Sequence, residues 1–291
     1  MNLTDVFKKK RVFSVEVFPP KRDGDLNRIY DTIAALKRVN PDFISVTYGA
    51  GGSDGCRTGI EIVRAIQDRW GITGVAHLPA FGLSRADVDA VLERYRKADI
   101  SNILALRGDC PAGKEFLPPG DFPHASDLVA YIKAHGDFDI CGACYPEVHP
   151  EAASAVADIR NLKKKVDAGA SHLITQLFFE NEHFYRFREK CELAGISVPI
   201  EAGIMPVINS RQIQRMASLC GAFLPKKFLK IMHRYENKPE ALRDAGIAYA
   251  VDQIVDLVTN GVDGIHLYTM NRAYTAEKIY EAVHNLINID D

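Results

Sequence analysis

The sequence predicts a closed (βα)8 barrel of the TIM type, and three observations carry that prediction. Short β-like runs alternate with amphipathic helical ones from end to end. Eight strand-like runs recur at intervals of roughly 25 to 35 residues, each followed by a helical stretch. No Gly/Ser linker or charge block divides the chain, so residues 1–291 read as a single domain, and 47% hydrophobic content can supply one large core.

Residues 11–17, rich in Val and Phe, form the first strand, and Leu26, Ile29, Ile33 and Leu36 mark the apolar face of the helix behind it. Residues 43–48 give the second strand and Ile60, Val63, Ile66 and Trp70 its helix. The third strand, 73–78, is followed by Val88, Val91, Leu92 and Tyr95 at helical spacing. The fourth, 102–106, stops abruptly in Arg107-Gly108-Asp109. A Gly- and Pro-rich loop at 111–123 follows, then a helix with Ser126 as its expected N-cap. The fifth strand, 139–144, leads to a helix expected from about Pro150 to residue 167. Residues 172–178 are the sixth strand, 184–193 a helix and 199–204 the seventh strand. Helical stretches at 209–220 and 239–259 both precede the eighth strand, 264–269, so one extra helix is expected between strands seven and eight; 275–287 is the last helix. A doubly wound open sheet competes with this arrangement, but Gly49-Ala50-Gly51-Gly52-Ser53-Asp54-Gly55 does not make G-x-G-x-x-G.

Composition narrows the function. With 36 basic against 38 acidic residues and a formal charge of −2, no global field exists to hold nucleic acid or an anionic membrane. The apolar stretch after the basic residues at 8–11 is broken by Glu16 and closed by Pro19-Pro20, so it fails as a signal peptide. No apolar run approaches the roughly 18 residues of a membrane span, and a cytoplasmic protein is expected. Six cysteines are too sparse for a disulfide scaffold. Cys141 and Cys144, three apart on a strand, point to opposite faces, and no second pair completes a zinc site, so no metal is expected.

In a barrel the carboxyl ends of the strands meet on one rim. Here they finish at Glu16-Val17-Phe18, Thr47-Tyr48, His77-Leu78, Arg107-Gly108-Asp109, Tyr145-Pro146-Glu147-Val148-His149, Gln176, and Tyr268 with Arg272. That much ionisable chemistry on one rim reads as a binding cavity. Glu16 and Asp109, from strands one and four, admit the carboxylate pair of a glycoside hydrolase. On the helix after strand five, Asp158, Asn161 and Lys165 share a face, with Lys164 beside them. They offer acceptors for hydroxyls and cations for phosphate, the makings of a nucleotide tail site.

Seven motifs in order make the chain resemble the methylenetetrahydrofolate reductase family over residues 13–272. They are Ser14-Val15-Glu16-Val17-Phe18-Pro19-Pro20, Ser45-Val46-Thr47-Tyr48-Gly49-Ala50, Ala105-Leu106-Arg107-Gly108-Asp109, Tyr145-Pro146-Glu147-Val148-His149-Pro150, Lys165-Val166-Asp167-Ala168-Gly169-Ala170, Ile174-Thr175-Gln176-Leu177-Phe178-Phe179 and Tyr268-Thr269-Met270-Asn271-Arg272. The resemblance implies FAD at the carboxyl end of the barrel, with NADH or NADPH and methylenetetrahydrofolate using one flavin face in turn to give 5-methyltetrahydrofolate. It implies that Thr47, Tyr48, Ala50, His77, Arg107, Gly108 and Asp109 hold the isoalloxazine and ribityl portions. Ala125, Tyr145, His149, Ala152, Asp158, Asn161, Lys164 and Lys165 are the expected diphosphate and adenosine site.

By the same resemblance Gln176, Gln212, Tyr268 and Arg272 contact folate or nicotinamide, Glu16 is the general acid toward N10 of the substrate, and Asp109 stays ionised beside the pterin. Two departures stand out. Met216 occupies a position where the resemblance implies an aromatic side chain, and Lys164 one where Arg is common. Segments 111–124 and 222–238 align poorly and receive no assignment beyond Ala125. No counterpart of the regulatory domain of larger eukaryotic members is seen in residues 1–291, so feedback control by S-adenosylmethionine is not expected. A protein electron donor in place of NAD(P)H, a flavoprotein of this fold acting on another pterin or iminium, and self-association through the apolar outer helices are the open alternatives.

Overall fold

The computed structural model describes residues 2–20, 25–48, 53–108 and 120–288, with only the backbone of residues 53–55. Its sheet is a closed, all-parallel barrel in the order β1 to β8. The strands are β1 (Val12–Val17), β2 (Phe43–Val46), β3 (Thr73–Pro79), β4 (Asn102–Leu106), β5 (Asp139–Cys144), β6 (His172–Thr175), β7 (Ile200–Ile204) and β8 (Gly264–Tyr268). Strand register fixes which side chains share a face. Ser14 lies beside Phe43 and His266, and Glu16 beside Ser45 and Tyr268, so Ser14 and Glu16 face the barrel interior. Val15, Val17, Ile44 and Val46 face outward and pack in the main core between sheet and helices. The same alternation separates Cys141, in the small core inside the barrel, from Cys144, in the outer core.

The outer helices follow from their apolar spacing: α2 (Leu26–Leu36) buries Ile29, Ile33 and Leu36, and α4 (Arg85–Lys97) buries Val88, Val91, Leu92 and Tyr95. Before β1 a short α1 (Leu3–Phe7), absent from the sequence expectation, stoppers the amino-terminal mouth. Leu3 sits with Val12, Phe43, Val75 and Leu104 inside the barrel, and the Thr4 amide and hydroxyl both donate to Asp139 at 3.0 Å. Five residues are too few to show a helical period, which is why the pattern did not reveal it.

Several boundaries differ from the expectation for identifiable reasons. α5 (Ala125–Ala134) is capped by His124 and not by Ser126, because the Asp127 carboxylate reaches back to the His124 amide at 2.9 Å. α6 (Ala155–Asp167) starts five residues after Pro150, with the Ser154 hydroxyl accepting from the Ala157 amide. Residues 147–154 are thereby freed to form a loop on the rim. β2 and β6 are shorter than expected, and Thr47, Tyr48 and Gln176 leave the ladder to line the cavity.

After α7 (Asn181–Leu193) and β7 come three helices: α8 (Ser210–Cys220), α9 (Lys226–Tyr235) and α10 (Pro239–Thr259). The insertion thus holds two helices beyond the barrel's own, where one was expected. Phe228 and Met232 of α9 join Leu177, Phe179, Met205 and Val207 in a second core over the carboxyl end of β7. α3 (Ser53–Trp70) and α11 (Ala273–Ile287) complete the outer ring. Among the described residues no helix is long and apolar enough to cross a membrane.

Candidate functional site

Two cavities open at the carboxyl ends of the strands and share the walls Arg107, Ala125, Ala143, Tyr145, His149 and Lys165. The central one lies directly over the barrel. Glu16, Thr47, Tyr48, His77, Gly108, Gln176 and Tyr268 line it, with Met216, Met205 and Met270 along one side. The lateral one is walled by α6 and the 147–154 loop and contains Ala152, Asp158, Asn161 and Lys164. A flat group in the first and an anionic tail in the second would form one elongated ligand.

Glu16 is the only carboxylic acid among the described residues lining the central cavity. Burial in an uncharged surround disfavours its anion and pushes its pKa up to about 8, so it carries a proton at neutral pH. His77 lies beside it, with Nε2 3.6 Å from Oε2. Burial drives His77 down to about 3, so the imidazole is neutral and the pair is an acid beside a base, not an ion pair. Tyr268 crosses the rim to donate to the Thr175 carbonyl at 2.7 Å. It does so over Gly203, where a Cβ would meet the Tyr268 ring at 2.7 Å and the Thr175 carbonyl oxygen at 2.2 Å.

The backbone of Glu16 is stitched in place from β8. The Thr269 hydroxyl donates to the Glu16 carbonyl at 2.7 Å and accepts from the Asn271 amide at 3.1 Å. The Asn271 side chain accepts from the Phe18 amide at 3.0 Å and donates to its carbonyl at 2.9 Å. Met270 and Asn271 reach this geometry with φ of 52° and 55°, left-handed values that β-carbon sterics disfavour.

In the lateral cavity the partly buried Lys165 ammonium donates to the Ala143 carbonyl, and desolvation lowers its pKa. Its stem passes over Gly142, where a Cβ would approach Lys165 Cδ to 2.8 Å. Lys164 donates to Asn161 at 3.4 Å, and Asp158 accepts from the His149 amide at 3.0 Å, ordering the loop after β5. Arg107 is gripped in two-point fashion by Glu151 at 2.6 and 2.7 Å, where the two cavities join. Glu151 gave no signal in the sequence beyond lying two residues after His149.

A comparison of the whole sequence with known families decides what this cavity belongs to: the family model for methylenetetrahydrofolate reductase matches residues 2–284. The chain belongs to the methylenetetrahydrofolate reductase family. It is 40% identical over 275 residues to the 5,10-methylenetetrahydrofolate reductase of Pectobacterium carotovorum, covering 94% of this chain and 89% of that one. It is 39% identical over 276 residues to the Escherichia coli protein of the same name, covering 94% and 90%. The Arabidopsis thaliana methylenetetrahydrofolate reductase (NADH) 1 is 35% identical over 272 residues, but the match spans 46% of that longer chain. Among solved structures, an uncharacterized Clostridium thermocellum protein that binds two copies of 5-methyl-5,6,7,8-tetrahydrofolic acid superposes with a TM-score of 0.66. It covers 99% of both chains at 12% identity, a likeness of fold.

Set against this reductase fold, the sequence-derived site residues divide into four groups. Glu16, Thr47, Tyr48, His77, Arg107, Gly108, Gln176 and Tyr268 converge on the central cavity; Ala125, Tyr145, His149, Ala152, Asp158, Asn161, Lys164 and Lys165 on the lateral one. Gln212 stands on the exposed side of α8, and Arg272 opens α11 beside a separate hollow with Pro20, Asp25 and Arg28. The structure does not bring these two into the central cavity. Ala50 and Asp109 lie outside the described residues. Met216 lines the central cavity, a thioether where an aromatic ring was expected.

Proposed function

We propose that residues 1–291 act as one cytoplasmic catalytic domain, an FAD-dependent 5,10-methylenetetrahydrofolate reductase that takes hydride from NADH or NADPH and releases 5-methyltetrahydrofolate. The observation that carries the reading is the desolvated carboxyl of Glu16, its pKa pushed up to about 8 by burial, in a cavity continuous with a lateral chamber holding Lys164 and Lys165. The fit to FAD is chemical. Two lysines and Arg107 suit a diphosphate, and Asp158 and Asn161 suit ribose hydroxyls. When bound, the flavin supplies a two-electron carrier between nicotinamide and folate.

The chain's own residues supply the proton chemistry. The five-membered ring of the substrate must open before N5 can become an electrophilic iminium, and opening needs a proton at N10. Glu16 holds one at neutral pH and delivers it there as general acid. His77, neutral beside it, contributes no charge that would pull Glu16 toward early ionisation. Gln176 and Tyr268 line the same cavity and orient the pterin or nicotinamide. Asp109 is assigned the pterin-facing carboxylate, which favours the developing cation. The family match and the lysine-bearing chamber both weigh against a carboxylate-pair hydrolase.

The test is purification and half-reaction kinetics. The protein should be yellow, absorbing near about 450 nm as isoalloxazine does. Glu16→Gln should keep FAD and its reduction by NADH, while reoxidation by methylenetetrahydrofolate falls about 10²- to 10⁴-fold, the usual worth of a general acid. Near-normal folate reduction in that variant would remove Glu16 from the mechanism.

A further inference from the structure

Among the apolar side chains inside the barrel below Glu16 stand several polar ones, where branched apolar residues normally dominate. Ser14, Ser45, His77, His172, Glu201 and His266 are all buried on inward-facing positions. Three of them form a chain. Ser14 Oγ lies 3.1 Å from Glu201 Oε1 and 2.6 Å from His266 Nδ1. All three residues are fully inaccessible. Space for the carboxyl is made by Gly264, where a Cβ would stand 2.8 Å from Glu201 Cγ. His266 is one interior position below Tyr268 on the strand beside β1, and it lines the floor of the cavity that holds Glu16. Among the described residues its buried Nε2 has no hydrogen-bond partner, as is also true of Ser45 Oγ and His77 Nε2.

We propose that Glu201, acting through Ser14, is a positioning residue that fixes His266 with its proton on Nε2, so that an N–H donor and not a lone pair faces the cavity floor beneath Glu16. The hydroxyl of Ser14 has one proton and two close neighbours, so it donates to one and accepts from the other. A carboxylate this deep without a cation is strongly disfavoured, so Glu201 remains a neutral acid; its O–H then donates to Ser14, whereas an ionised Glu201 would accept from the Ser14 hydroxyl. Burial raises its pKa, and the neighbouring Asp42 and Asp263 push in the same direction. Ser14 then donates to Nδ1, which leaves the ring proton on Nε2. His266 is itself held neutral by burial and by the adjacent His77 and His172.

The consequence for the reaction rests on the role of Glu16 proposed above. Once Glu16 has given up its proton it is a buried anion. A donor on the floor stabilises that anion, directly or across one buried water shared with Ser45 Oγ and His77 Nε2, whereas a lone pair would repel it.

The experiment has two independent arms. In protein without flavin or folate, long-range ¹H–¹⁵N correlation of labelled histidines, with His266 assigned by its loss in His266→Asn, should show the Nε2–H tautomer. Glu201→Gln, whose amide can still donate to Ser14, should keep it; Glu201→Leu should not. In the second arm, dithionite-reduced holoenzyme is mixed with methylenetetrahydrofolate across pH. Glu201→Leu should slow reoxidation about tenfold and raise the pKa governing it by about one unit, the shift equivalent to that factor. Glu201→Gln should stay within about twofold of the parent, as expected where an amide N–H replaces the acid O–H. Ser14→Ala severs the same chain with a smaller change of volume and serves if Glu201→Leu does not fold. A wild-type His266 carrying its proton on Nδ1, or an unchanged folate half-reaction in both Glu201→Leu and Ser14→Ala, overturns the proposal. Failure of Glu16→Gln to impair folate reduction would strike the general-acid reading alone, because the tautomer is read with no ligand bound.

Discussion

Asn271→Ala tests whether the clasp between the ends of β8 and β1 is what holds the acid in position. The substitution removes two hydrogen bonds to Phe18, at 3.0 and 2.9 Å. Each is worth about 1 kcal/mol net. It also places alanine at a φ of 55°, a conformation that costs an ordinary side chain roughly 1 kcal/mol or more beyond asparagine. The sum, about 3 kcal/mol, is a factor of roughly 100 in the equilibrium between the clasped and open ends of β1. The backbone amide of residue 271 still donates to Thr269, but without the side-chain tie to Phe18 it is less firmly placed, and the grip on the Glu16 carbonyl weakens. Misplacement of a catalytic group by about 1 Å can cost 10²-fold. Denaturant unfolding should therefore show a loss of about 3 kcal/mol, and anaerobic stopped flow should show folate-dependent reoxidation slowed at least tenfold with flavin reduction nearly unchanged. Asn271→Gly, which relieves the backbone strain without restoring the bonds, should recover part of the stability but little of the rate. A normal folate half-reaction in Asn271→Ala would refute the argument that this clasp positions Glu16.

Two further outcomes follow from the geometry. Gly203→Ala puts a Cβ 2.2 Å from the Thr175 carbonyl oxygen and 2.7 Å from the Tyr268 ring, so it should destabilise the fold by about 3 kcal/mol or more and displace Tyr268, read as a lowered melting temperature with impaired folate reoxidation in the folded fraction. The pH dependence of stability in the flavin-free protein has a determined sign. Glu16 and Glu201 have folded pKa values raised above the unfolded value of 4.5, so their contribution is full below pH 4.5 and is lost as pH rises toward about 8 for Glu16. His77, His172 and His266 are depressed from 6.5 to about 3, 4 and 3, so their contribution is full above pH 6.5 and is lost on acidification. Stability by denaturant melts should peak near pH 6.5, and Glu16→Gln should flatten the alkaline side. A maximum above pH 8 would contradict the assigned protonation states.

The architecture was legible because it depends on repeated local signals: alternating runs, helical spacing and strands that end in charge. What escaped was set by contacts the pattern does not encode. The start of α6 at Ala155 depends on Ser154 winning the cap while Asp158 turns back to the His149 amide. The short α1 is stable through the apolar interior that Leu3 enters and the carboxylate of Asp139 that Thr4 meets. α9 buries only Phe228 and Met232 in its ten residues, and what they pack with, Leu177, Phe179, Met205 and Val207, comes from other segments of the chain.

The site shows the same division. Most rim residues were found because parallel strands must deliver their carboxyl ends to one place. Gln212 is expected there through resemblance alone and Arg272 also from its place just after strand eight, and neither lines the central cavity. The polar chain of Ser14, Glu201 and His266 was accessible in principle. Two-residue alternation from Glu16 places Ser14 inside, and alternation from Tyr268 places His266 inside. Linking them required the register that only the closed sheet supplies.

The most direct test of the account is the ionisation of Glu16 itself. Carboxyl-selective ¹³C labelling of glutamate, with the Glu16 signal assigned by its loss in Glu16→Gln, should show a protonated carboxyl at pH 7 that titrates near 8. A Glu16 signal already in the carboxylate form at pH 6 would contradict the central claim, since the chain would then hold no proton at the floor of its cavity to open the folate ring.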